Sequence, residues 1–107
     1  MRKGSVEEVF GLVRISKILK QVIEICSQDD QVDKVILHGS WAKGTAMERS
    51  DIDLALVGDE IDIEELQEEV EEIDTLYKID LVDVSHCRND LLQDEVEKYG
   101  IEIYSKV

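Results

Sequence analysis

Residues 34–57 read KVILHGSWAKGTAMERSDIDLALV, two apolar runs joined by a polar stretch. Lys34–His38 has the length and β-branched content of a buried strand, and it stops at Gly39-Ser40. Asp51–Val57 (DIDLALV) reads as a second strand, closed by Gly58. The link between them is too short for a crossover helix, so the two strands are expected to run antiparallel. Residues i and i+2 of a strand share a face. Asp51 and Asp53 therefore point together, while Ile52, Leu54 and Leu56 point the other way. Adjacent carboxylates repel unless a cation lies between them, and Mg²⁺ suits the task because it binds one or two carboxylates plus phosphate and water oxygens. Gly39-Ser40 adds a turn where backbone can approach a ligand closely, with a hydroxyl and amides for phosphate oxygens. Either feature alone is commonplace, since many strands end in a Gly-Ser turn and many carry two surface acids.

Working outward, residues 5–28 read as helix. Ser5 and Glu8 form a capping box, and Val6, Val9, Phe10, Val13, Leu19, Val22, Ile23 and Cys26 recur at helical spacing, with room for a break near Ile15-Ser16. Residues 62–74 form an amphipathic helix whose stripe is Ile63, Leu66, Val70 and Ile73. Its glutamates, Glu64, Glu65, Glu68, Glu69, Glu71 and Glu72, face water. Residues 78–84 (KIDLVDV) are a third strand. Residues 89–99 are a helix with Leu91, Leu92, Val96 and Tyr99 inward and Gly100 as its stop. Ile101–Tyr104 is a short terminal strand, expected at a sheet edge. This order predicts an α/β (α+β) fold, a mixed sheet with helices packed on it. At 107 residues without proline, repeats or a linker, the chain is expected to be a single domain, 1–107.

Composition narrows the function. With 26 acids against 12 bases the net charge is −14, which repels phosphate backbones and argues against direct binding of nucleic acid. A protein partner would present a basic surface. No apolar run spans a bilayer and no signal-peptide h-region is visible, so the expected location is the cytoplasm, away from membranes. Cys26 and Cys87 are read as reduced, partly buried thiols, and His38 and His86 are too isolated for a zinc site.

In combination these pieces become specific. Gly-Ser, ten residues (41–50) and Asp-x-Asp between two apolar strands resembles the nucleotidyltransferases of the DNA polymerase β superfamily, above all their minimal, MNT-type members. Their pattern, GSxARG…SDxDL, stands here as Gly39-Ser40-Trp41-Ala42-Lys43-Gly44 and Ser50-Asp51-Ile52-Asp53-Leu54. No Walker loop or dinucleotide fingerprint is present. The resemblance implies the polymerase β-like fold, with Asp51, Asp53 and a third acid as catalytic and metal-binding residues. It also implies nucleotide binding by Gly39, Ser40, Lys43 and Ser50. Lys43 stands where the family has arginine, so it keeps the charge but lacks the bidentate fork. Trp41 is given no catalytic role. Asp80 and Asp83 fall on opposite faces of their strand, so at most one can join Asp51 and Asp53. The family's apolar-Asp-Leu-apolar pattern matches Ile79-Asp80-Leu81-Val82 and points to Asp80, while the sequence alone leaves Asp83 open.

The activity implied by the resemblance is Mg²⁺-dependent nucleotidyl transfer, with two ions and ATP as substrate. Minimal family members are commonly paired with an all-helical HEPN protein, a toxic RNase. They act as its antitoxin by transferring AMP to a tyrosine, which makes a hetero-oligomeric protein adenylyltransferase the expected function. Two alternatives stay open: transfer to a small-molecule hydroxyl with a separate substrate-binding subunit, and a non-catalytic antitoxin acting by contact. Tyr77, Tyr99 and Tyr104 are candidate self-modification sites, packing being the commoner role.

Overall fold

The computed structural model describes residues 2–3, 13–86 and 89–106, with backbone alone for Arg2, Lys3 and Val13. The expected capping box of Ser5 and Glu8, the apolar positions Val6, Val9 and Phe10, and Cys87 lie outside the described residues. Ten elements follow in order: β1 (Arg2–Lys3), a 3-10 turn (Val13–Ile15), α1 (Ser16–Ser27), β2 (Val32–His38), α2 (Gly39–Lys43), β3 (Ile52–Gly58), α3 (Ile63–Glu71), β4 (Ile79–Asp83), α4 (Asp90–Tyr99) and β5 (Ile101–Ser105). They build one mixed sheet in the order β1-β5-β2-β3-β4. β2 and β3 are antiparallel, as the short link requires, while β3 and β4 are parallel and α3 makes the crossover.

Several local readings change. The break at Ile15-Ser16 is real: a 3-10 turn precedes α1, and Ile15 is fully buried beneath it. Gly39-Ser40 opens a five-residue helix rather than a plain turn, and Gly44 ends that helix in the left-handed conformation (φ 78°). β5 is not at the edge. It lies between β2 and the two-residue β1, with which it pairs in parallel. Leu91 is not inward but 82% exposed, because it falls on the outer side of α4, where Val96 is the buried residue; Tyr99 is also partly exposed. Gly100 stops α4 without a left-handed turn: its backbone is extended (φ −62°, ψ 149°), and a Cβ there would collide with the Val96 carbonyl and the Ile36 side chain.

The two faces of the sheet pack differently. On one, α1 and α3 cover a continuous core that includes Leu19, Val22, Leu37, Ile52, Leu54, Leu56 and Val70. The other carries a small cluster of Ile36, Ala55 and Val96, flanked by Val57, Val82 and Leu92, under α4. The exposed side of α3 is the expected row of glutamates, and Asp62 caps its start by accepting from the Glu65 N–H at 3.1 Å. Cys26 is buried at the inner side of α1. Burial first, then the charges of Asp29 and Glu69, push its thiol up to about 12, so it stays protonated. Among the described residues no helix is long and apolar enough to cross a membrane.

Candidate active site

The α4 face of the sheet is where the expected site residues meet. Asp53 shares the alternation of Ala55 and Val57, so its carboxylate emerges on that face at the start of β3. Asp80 sits directly beside it, because parallel β3 and β4 pair Asp53 with Asp80 in register. The same register pairs Asp83 with Leu56, on the opposite face. Asp83 is also occupied locally: Oδ1 accepts from the Ser85 N–H at 3.0 Å, and Oδ2 lies 3.0 Å from His86 Nδ1. Asp51 is exposed, one residue before β3 begins. Geometry thus brings Asp51, Asp53 and Asp80 to one end of the sheet and leaves Asp83 out.

Two devices hold this arrangement. Gly39 adopts φ +73°, and a Cβ there would run into Asp53 Oδ2, so the first residue of α2 lies against the carboxylate. β4 is a sheet edge, and its free side is held by Gln67 of α3. The Gln67 amide donates to the Ile79 carbonyl at 2.7 Å and accepts from the Leu81 N–H at 2.9 Å, one bond on each side of Asp80. Lys78 Nζ is 3.8 Å from Asp80 Oδ1, an exposed and loose pair.

The other motif residues lie on α2 and on the loop before β3. Gly39 and Ser40 begin α2, where the first backbone amides have no acceptor within the helix. Trp41 is buried, donates Nε1–H to the Ser50 carbonyl at 2.9 Å and meets Tyr77 edge-on at 5.8 Å, which makes it a packing residue. Ser50 Oγ accepts from the Met47 N–H at 2.7 Å, so its hydroxyl closes the loop that leads into β3. Lys43 points to α4, where its ammonium pairs with Glu95 and stands 5.2 Å from the centre of the Tyr99 ring.

Electrostatically the site is under tension. The Asp53 carboxyl is raised above its ordinary value, first by burial. His38 pulls the other way, more strongly than any one of the neighbouring acids Asp80, Asp51 and Glu95 pushes up. A cation beside these carboxylates would relieve that repulsion, and an all-oxygen donor set suits Mg²⁺. Among the described residues no group of three or more aspartates, glutamates, histidines or cysteines is placed to hold a metal ion. Mg²⁺ is content with one or two carboxylates when phosphate and water complete its shell, so an open set of acids fits it.

Two residues at the site were missed from sequence. His38 is the last residue of β2, buried, with both ring nitrogens lacking a hydrogen bond among the described residues; its Nδ1 is 3.5 Å from Glu95 Oε2. Its position immediately before Gly39 was the available signal. Glu95 had none, being one acid in a helix rich in them.

Comparison with known proteins agrees with this fold. The family profile described as "Polymerase beta, Nucleotidyltransferase" matches residues 20–107. No curated protein matches the sequence. Among solved structures, a toxin–antitoxin complex with AMP-PNP is 23% identical, with TM-score 0.65, covering 84% of this chain and 73% of that one. A mutant of the toxin–antitoxin pair MntA-HpeT gives 20% identity and TM-score 0.66 over 81% and 72%. A protein of Sulfolobus solfataricus assigned as a nucleotidyltransferase gives 22% and 0.58 over 88% and 83%. At such identities the likeness is one of fold.

Proposed function

The chain belongs to the polymerase β nucleotidyltransferase family, and on that premise we propose that it transfers AMP from ATP to a tyrosine of a helical, HEPN-type toxin, acting as that toxin's antitoxin. The observation that carries the reading is the side-by-side register of Asp53 and Asp80, with Gly39 of the Gly-Ser motif packed against Asp53. Supporting the choice of a protein acceptor, two large exposed apolar residues, Met47 and Leu76, stand on the loops that lead into β3 and β4. The net charge of −14 favours a basic partner surface. The solved toxin–antitoxin complexes, one with AMP-PNP bound, share the fold.

In this reading Asp51 and Asp53 would hold two Mg²⁺ ions, with Asp80 contributing to one of them. Bound there, such ions would supply neutralisation of the charge that builds up in the transfer. Gly39 and Ser40 seat the β- and γ-phosphates with backbone amides and the hydroxyl, Lys43 adds a positive charge, and Ser50 keeps the loop before Asp51 closed. Asp80 helps take the proton from the acceptor hydroxyl. The oxygen of the acceptor tyrosine then bonds to the α-phosphorus as the bond to pyrophosphate breaks. Rate comes from positioning and electrostatics rather than from a covalent enzyme intermediate.

Incubation with Mg·ATP and the co-purified helical partner tests the proposal by intact-mass spectrometry. An AMP adduct on a partner tyrosine is expected. AMP on a small molecule instead would move the acceptor to that class. Protection from the toxin by an Asp51→Asn/Asp53→Asn variant, without any adduct, would make the chain a non-catalytic antitoxin.

A further inference from the structure

Glu95 belongs to neither the Gly-Ser motif nor the acid set, yet it touches the residues around both. Lying in the middle of α4, it turns its two carboxylate oxygens to different elements. Oε1 accepts from Lys43 Nζ at 2.5 Å, at the end of α2. Oε2 lies 3.5 Å from Nδ1 of the buried His38, at the end of β2. Tyr99, one turn further along α4, places its ring 5.2 Å from the same ammonium. α4 therefore offers Lys43 both a counter-charge and an aromatic face.

Held in this way, the ammonium has one of its donors and much of its charge engaged by Glu95. We propose that Glu95 is a positioning residue that holds Lys43 on α4 in the nucleotide-free protein and yields it to the triphosphate of ATP, keeping His38 as its own remaining partner. The inference rests on the nucleotidyltransferase reading of the Gly-Ser motif. Three features make the exchange workable. The pair is partly solvated, the two side chains being 34% and 31% exposed, and pairs of this kind are weak enough to break. A triphosphate carries more negative charge and more acceptor oxygens than one carboxylate. Finally, Glu95 is not abandoned when Lys43 leaves: His38 Nδ1 already lies 3.5 Å from its Oε2 and can close that gap as a donor. That matters because the Glu95 charge already acts on Asp53.

The test is a double-variant cycle in Mg·ATP affinity, read by calorimetry and by the fluorescence of Trp41, the single tryptophan, two residues from Lys43. Glu95→Gln is expected to tighten Mg·ATP binding roughly two- to fivefold, the size of a half-exposed ion pair. KM for ATP falls with it and kcat stays level. In a Lys43→Met background the same change should have no effect. Glu95→Asp, too short to reach the ammonium, should behave as Glu95→Gln and serves if the latter misfolds by circular dichroism. Unchanged or weakened binding would overturn the proposal. So would an equal gain in the Lys43→Met background, which would mark Glu95 as a through-space charge only. Failure of the wild-type protein to bind Mg·ATP at all would take the nucleotidyltransferase reading down as well, whereas wild-type binding that ignores Glu95 sinks this inference alone.

Discussion

Leu54 and Asp53 are neighbours in β3, yet they live in different environments. Leu54 points into the core beneath α1 and α3 and is fully buried. Asp53 points to the α4 face, where a carboxylate is half-buried beside other acids. The first face is built for stability. The second gives stability up: burial and neighbouring charges raise the Asp53 pKa, so ionising it costs the folded state. The sign follows from linkage. A carboxyl whose folded pKa lies above its ordinary 3.8 loses stability as pH rises through that value and up to the raised one. One strand thus alternates between packing and chemistry, and the comparison is open to direct attack.

Substitutions in β3 and its neighbours separate the two faces, the largest effect first. Asp53→Asn should reduce AMP transfer at least about a hundredfold in kcat, as loss of a preorganised charge-handling group does. Melting temperature should hold or rise slightly. Loss of fold instead would erase the distinction between the faces. Leu54→Ala should do the reverse, costing about 2–5 kcal/mol in denaturant unfolding with transfer by the folded fraction retained. Gly39→Ala combines both faults. Its φ of +73° resists a side chain and the new methyl meets Asp53, so about 1–3 kcal/mol of stability and most transfer should go together.

Smaller effects sharpen the picture at the edge strand. Asp80→Asn should lower transfer, by less than Asp53→Asn does, while Asp83→Asn leaves it near wild type, measured by adduct formation; the opposite ranking would mean that the third carboxylate comes from the other face. Gln67→Ala, which removes two hydrogen bonds flanking Asp80, should cost about 1–2 kcal/mol and lower kcat more than it raises KM. The Lys43–Glu95 pair gives the mildest signal. Glu95 is held below its ordinary 4.5, chiefly by its hydrogen bond from Lys43. Its contribution is therefore complete above that value and is lost as pH falls through the lowered one. Acid titration of the wild type against Glu95→Gln should show the two stabilities converging only in that acidic range.

Much of this was legible in the sequence because period and spacing are local. The alternation of DIDLALV gave Asp51 and Asp53 one side and Leu54 and Leu56 the other, and the short link gave the antiparallel pair. The resemblance to the polymerase β pattern singled out Asp80, and the register of β3 with β4 sets Asp80 beside Asp53. What escaped was long-range or conformational. Glu95 reaches Lys43 across 52 positions, which no periodicity encodes. The helical form of Gly39–Lys43 is too short to show a period, and the inner position of β5 depends on two residues at the far end of the chain. Hydrophobicity alone predicts Leu91 inward, but the phase of α4 is set by Val96 against Ile36 and Ala55.

The central claim is that the α4 face trades stability for the binding of magnesium and a triphosphate. Thermal unfolding of the wild type and an Asp53→Asn/Asp80→Asn variant, each with and without Mg·ATP and with EDTA as control, tests it most directly. The account predicts a variant at least as stable as the wild type without ligand, and a ligand-induced rise in melting temperature for the wild type alone that EDTA abolishes. Equal ligand-induced shifts in both proteins, or none in either, would contradict it.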